Sequence, residues 1–143
     1  MKRFTQCVCT ILVLSIILAV PAAAATFEPR SSDYFARFSV YIDEVSSSKF
    51  DVWFDVTAVQ TMDKLGVKEI KVQRSTDEEN WTTVKTYKMA DYSQMIAENT
   101  VQHDGYVSYN YSSGYSYRAV IVLYAKLGSS YGQYTVTTPI FEA

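Results

Sequence analysis

Residues 50–58 place the tightest constraint on what this chain can fold into. Phe50, Val52, Phe54, Val56 and Ala58 alternate with Asp51, Trp53, Asp55 and Thr57. Successive side chains of an extended strand point to opposite sides, so a period of two gives one apolar face and one face carrying two aspartates. A helix would scatter the same residues around its circumference. The segment therefore reads as a half-buried strand whose aspartates assign the second face to solvent. Trp53 then stands on the wet side, where no core can use it.

The same reading locates six further strands. In residues 38–43, Phe38, Val40 and Ile42 alternate with more polar neighbours, and the Ser-Ser-Ser-Lys run at 46–49 ends the pattern. Residues 61–66 read as a loop and residues 67–75 as a strand with Ile70 and Val72 facing inward. The acidic stretch 76–80 turns the chain, and residues 81–87 return as the second arm of a hairpin. Residues 89–100 fit two descriptions: helical spacing through Met89, Tyr92, Met95 and Ile96, or a crossing loop. His103-Asp104-Gly105 reads as a turn, residues 106–111 as a short tyrosine strand and Ser112-Ser113-Gly114 as another turn. Residues 115–124 contain the continuous apolar run 119–123, expected where both faces of a strand are covered. Residues 134–141 close the pattern, with Pro139 placing that end at a sheet edge. Seven short strands without a long helix predict an all-β fold, an antiparallel two-sheet sandwich.

The first 25 residues stand outside this pattern. Lys2 and Arg3 precede an apolar run at 8–20, and Ala23 and Ala25 provide the small residues of an A-x-A cleavage site. The run is shorter than the roughly 20 apolar residues a membrane helix needs, so a cleaved signal peptide is expected. The segment lengthens if Cys7 and the alanines are counted, which makes a retained anchor the alternative and the only route to a membrane. The expected organisation is a signal peptide at 1–25, a leader at 26–35 and one domain at 36–143, with the product secreted and extracellular. Cleavage would remove both cysteines, Cys7 and Cys9, leaving no disulfide and no thiolate nucleophile or metal ligand. The domain must then fold on its hydrophobic core, which the 118 residues left after removal of 25 from 143 can supply. A formal net charge of −2, made more negative by the loss of Lys2 and Arg3, argues against nucleic acid as a partner.

Two segments resemble a known family. Ile70-Lys71-Val72-Gln73-Arg74-Ser75 followed by Trp81-Thr82-Thr83-Val84 is similar to the C-to-C′ hairpin of fibronectin type III-like modules of the immunoglobulin superfamily. Tyr111, Gly114 and Tyr117 resemble that family's tyrosine corner, which leads into strand F, with Ser113 in place of the usual proline and Tyr115 in place of threonine. The likeness covers roughly residues 40–141 and implies the same sandwich, with Tyr117 as the corner residue. Such modules serve as spacers, adhesins and ligand binders, so it implies no single activity. A signal peptide followed by one such domain also resembles small secreted proteins of Gram-positive bacteria.

No catalytic, cofactor or metal motif accompanies the fold, and the chain is read as a non-enzyme. His103 is the only histidine; lacking a nucleophile elbow beside it, it reads as an exposed turn residue. Asp51 and Asp55 share a strand face but lie about 13–14 Å apart along it, too far for one metal or a glycosidase pair. They are expected to be solvated charges. Asp77-Glu78-Glu79-Asn80 is rich in oxygen yet lacks the glycine and spacing of a calcium loop. Asn80-Trp81-Thr82 and Asn110-Tyr111-Ser112 match the glycan acceptor pattern, which matters only in a cell that glycosylates exported proteins. The remaining candidate is aromatic: Trp53 with Tyr41 on the preceding strand, flanked by Asp51 and Asp55, as an open platform for stacking on sugar faces. Coverage of Trp53 by the leader is the competing expectation. The function that follows is a binding or interaction module for cell-surface carbohydrate or an exported protein. The alternative is a structural or assembly component that pairs through its last strand and is weakened by a proline at Val136.

Overall fold

The computed structural model describes residues 33–143. The expected signal peptide at 1–25 and most of the leader lie outside the described residues. The strands are β1 (Phe35–Ser46), β2 (Lys49–Ser75), β3 (Thr82–Lys88), β4 (Ile96–Asn110), β5 (Ser116–Leu127), β6 (Ser130–Thr137) and β7 (Phe141–Glu142), with one 3-10 turn at Ser93–Met95 before β4. Every pairing is antiparallel, and together the strands form a strongly curled, all-β sheet.

The 27-residue β2 organises the rest. Its first part lies between β1 and the later part of β4, with Trp53 opposite Tyr41 on one side and Tyr106 on the other. Its last part lies between β3 and β5, with Ile70 opposite Tyr87 and Ile121. The change of neighbours occurs at residues 62–66, which pair with the start of β4. These residues are strand, not the loop expected at 61–66. The expectation failed because the alternation changes phase there. The buried positions run Phe50, Val52, Phe54, Val56 and Ala58, then Met62, then Leu65 and Val67, then Ile70 and Val72. Register shifts accompany these changes, between Thr57 and Met62 against β4 and between Val67 and Glu69 against β5. Bulges of this kind bend a strand and interrupt its ladder only locally, so a broken pattern in the sequence corresponds to one continuous strand.

Three more expectations change. His103-Asp104-Gly105 is not a turn but the middle of β4, paired with Val56, Asp55 and Phe54. Residues 89–100 are neither a long helix nor a simple crossing loop, because the 3-10 turn is followed directly by strand from Ile96. The apolar run 119–123 is fully buried on one side only: Ala119, Ile121 and Leu123 are inaccessible, while Val120 and Val122 are half-buried on the outer face. Seven strands were expected and seven are present among the described residues, but by a different partition, since two expected strands fuse into β2 and the last divides around Pro139.

The concave side of the curl holds the core. At one end Phe50 is inaccessible, and its ring lies 5.3–5.6 Å from those of Tyr109, Tyr111, Tyr117 and Phe141. The Tyr117 hydroxyl donates to the Ser112 carbonyl at 3.2 Å and accepts from the Ser112 amide at 3.1 Å, bonding to the backbone five residues upstream. That is the geometry expected of a corner tyrosine. Tyr117→Phe keeps the ring packing and leaves both Ser112 groups without this partner, so urea denaturation is expected to report a loss of about 1–2 kcal/mol.

Candidate functional site: an aromatic row between aspartates

The convex face of β1, β2 and β4 is set by register. Tyr41, Trp53 and Tyr106 lie directly opposite one another across the three strands. Two residues away on one side stand Ser39, Asp55 and Asp104, and on the other Asp43, Asp51 and Ser108. Because strand side chains alternate, all nine share this face, with rows about 7 Å apart along the strands. The Tyr41 and Trp53 rings are 6.3 Å apart and nearly parallel at 9°, and Tyr106 lies 4.6 Å from Trp53. Tyr41 is 45% and Tyr106 46% exposed, with Trp53 half-buried between them. A cleft of about 220 Å³ opens beside the row, lined by Ser39, Tyr41, Trp53, Phe54, Asp55 and Asp104.

The two expected aspartates differ from each other. Asp55 is half-buried and accepts a hydrogen bond from Gln102 Nε2 at 3.2 Å. Asp51 is not the solvated charge expected: it is only 8% exposed and accepts from Ser108 Oγ at 2.6 Å. It sits in the central strand, between Asp43 of β1 and Ser108 of β4. Among the described residues, neither has an ion-pair partner, and the same holds for Asp43 and Asp104. The competing expectation, coverage of Trp53 by the leader, rests mostly on residues outside the described ones. The part of the leader that is described goes elsewhere. Tyr34 packs against Gly132 of β6, and its carbonyl accepts from the Val59 amide.

Other candidates have structural partners. His103 is half-buried rather than an exposed turn residue. Its ring lies 5.5 Å from that of Phe54 and against Gly66, and Nε2–H donates to the Gln94 carbonyl at 2.8 Å. This contact holds the 3-10 turn against β4. Asp77 turns its carboxylate onto its own loop, accepting from the Glu79 and Asn80 amides, Asn80 Nδ2 and Ser75 Oγ. Those bonds, led by Asn80's, hold its carboxyl well below the usual carboxylate range. The loop organises itself instead of offering oxygens outward. Among the described residues no group of three or more His, Cys, Asp and Glu side chains is arranged to hold a metal ion, and no helix is long and apolar enough to cross a membrane.

Sequence reasoning named Tyr41, Trp53, Asp51 and Asp55 for this face and missed Tyr106, Asp104 and Asp43 as their companions. Asp43 was within reach, since it shares the parity of Tyr41 in the first strand. Tyr106 and Asp104 were hidden because a turn was read at 103–105, which cut β4 at the point where it crosses Trp53. Comparison with protein families, curated proteins and solved structures returned no significant match to this chain.

Proposed function

We propose that this chain is an exported, non-catalytic binding module of fibronectin type III-like design, and that its Tyr41–Trp53–Tyr106 row stacks on the sugar rings of a cell-surface polysaccharide. The observation that carries the reading is the alignment of three accessible rings across three strands, bordered by carboxylates. Aromatic faces provide apolar contact for the C–H faces of sugars, while carboxylates accept from hydroxyls. Support for the sandwich comes from the β2–β3 hairpin, the Tyr117–Ser112 bonds and the way β2 serves one set of neighbours with its first part and another with its last. The test is co-sedimentation of the protein, expressed from the full chain, with bacterial cell walls and a panel of insoluble polysaccharides. Retention is expected, with roughly tenfold weaker binding by folded Trp53→Ala, the size of loss that removing one anchoring ring produces. Equal retention of both proteins would reject the row as the binding surface.

A second reading, assembly by edge-strand pairing, is favoured by one feature: β6 pairs with β5 along one edge and, among the described residues, with no strand along the other. The ladder also identifies the informative substitution. The Thr138 amide donates to the Ala119 carbonyl, so alternation turns the Val136 amide toward β5 and the Thr135 amide outward. Proline at Val136 would therefore damage the sheet itself. Thr135→Pro removes an outward donor, and under this reading it shifts sedimentation toward monomer with little change in Tm.

A further inference from the structure

Resting on the binding reading above, we infer that the platform selects polysaccharides whose sugars carry free, protonated amines over neutral or N-acetylated ones. The argument comes from the donor and acceptor inventory of the face. Four aspartates border the aromatic row, two on each side. Ser39 and the Tyr41 and Tyr106 hydroxyls can serve a neutral sugar hydroxyl, but the facing Asp55–Asp104 pair, when ionised, offers only acceptors and leaves part of such a hydroxyl's capacity unused. An ammonium group offers three donors and no acceptor, which matches that pair. Asp55 and Asp104 stand directly opposite each other on adjacent strands, as do Asp43 and Asp51. Like charges in that position repel, and among the described residues no cation pairs with any of them. The basic side chains nearest in register, Arg37 and Lys49, stand one row farther out on either side, and Lys85 of β3 lines a cleft with Tyr106 and Ser108 on the flank away from the Asp55–Asp104 pair. A ligand that places an ammonium between paired carboxylates relieves this repulsion on binding. The ring faces of Trp53 and its neighbours add attraction for the same cation. Asp51 is nearly buried and held by Ser108, so the accessible pair is Asp55 with Asp104, and a polymer lying along the aromatic row would direct its amines mainly to that flank.

The experiment is calorimetric titration with glucosamine oligomers and, in parallel, N-acetylglucosamine oligomers of equal length. Four proteins are compared: the parent, Trp53→Ala, the pair Asp55→Asn with Asp104→Asn, and a control pair Glu79→Gln with Asp91→Asn. The control removes the same charge from turns beside β3, and thermal melts establish that each variant is folded. The expected result is at least roughly tenfold preference for the amine form, lost in the Asp55/Asp104 pair and kept in the control. Binding to the amine form is also expected to weaken with added salt. Equal binding of the two oligomers, unaffected by the Asp55/Asp104 pair, would overturn the inference and leave the polysaccharide reading intact. An amine preference that the control pair loses as fully as the Asp55/Asp104 pair, or that Trp53→Ala keeps at the parent's strength, would overturn it as well, since the attraction would then be net charge and not this face. If neither oligomer binds, the inference falls, and the co-sedimentation panel decides the broader reading separately.

Discussion

Gly66→Ala is expected to prevent stable folding. Gly66 has φ +150°, and a Cβ built on it would lie 2.1 Å from the Met95 carbonyl oxygen, 2.9 Å from the His103 ring and 3.1 Å from the Ile96 Cα. Two of these neighbours are backbone, so rotamer changes give no relief. The glycine occupies the part of β2 where pairing with the start of β4 ends and pairing with β5 is already under way. Moving the backbone there would disturb both ladders and the His103–Gln94 bond that anchors the 3-10 turn. Severe backbone conflict at a buried position belongs to the few mechanisms that cost about 4–5 kcal/mol or more, a large part of the 5–15 kcal/mol typical of a whole domain. Circular dichroism would show loss of the cooperative thermal transition. A variant melting within a few degrees of the parent would mean that β2 can shift at this point. Gly114→Ala is a useful contrast: it also has positive φ but meets nothing within 4 Å, so its cost is conformational only.

The position of Gly66 also explains what could be read from the sequence. Period-two alternation identifies a strand as long as the phase holds, and it holds from Phe50 to Ala58. It breaks where the strand bulges, so the residues that carry β2 from one pair of neighbours to the next resemble a loop. The glycine that permits close approach of β4 reinforced that impression, as did the glycine in His103-Asp104-Gly105. In β4, Gly105 lies beneath the Phe54 ring, where a Cβ would approach to 2.8 Å. Both glycines mark close packing inside sheet, a use of glycine that local composition does not separate from a turn. The candidate face was half legible for the same reason. Tyr41, Trp53 and their aspartates lie on strands whose parity is uninterrupted, and a short Ser-Ser-Ser-Lys connection makes those strands neighbours. Tyr106 and Asp104 reach the same face through a pairing about 50 residues away in the chain, and no local pattern specifies that register.

Phe50→Ala is expected to give the largest loss of stability of any truncation in the aromatic cluster, with ligand binding left in place. Phe50 is wholly inaccessible and is the ring that touches the other four. Those four come from β4, the segment after it, β5 and β7, so the cavity would open where the end of the chain meets the middle. Tyr111 cannot easily move to fill the space, because its hydroxyl donates to Glu44 at 2.6 Å and its amide to the Ser48 carbonyl. Tyr117 is fixed in the same way at Ser112. Incomplete collapse is the condition that makes such a truncation costly, and about 3–5 kcal/mol is expected, seen as a fall in Tm of roughly 10–20 °C. Phe50 and Trp53 have opposite parity in one uninterrupted stretch of β2, one side chain in the core and the other on the convex face. Below its lowered Tm, Phe50→Ala should therefore bind a polysaccharide as the parent does, whereas Trp53→Ala should bind roughly tenfold more weakly with a much smaller change in Tm. Both measurements together test the assignment of the two faces. If Phe50→Ala abolished binding while folded, or if Trp53→Ala unfolded the protein, the separation of core from binding face along β2 would be wrong.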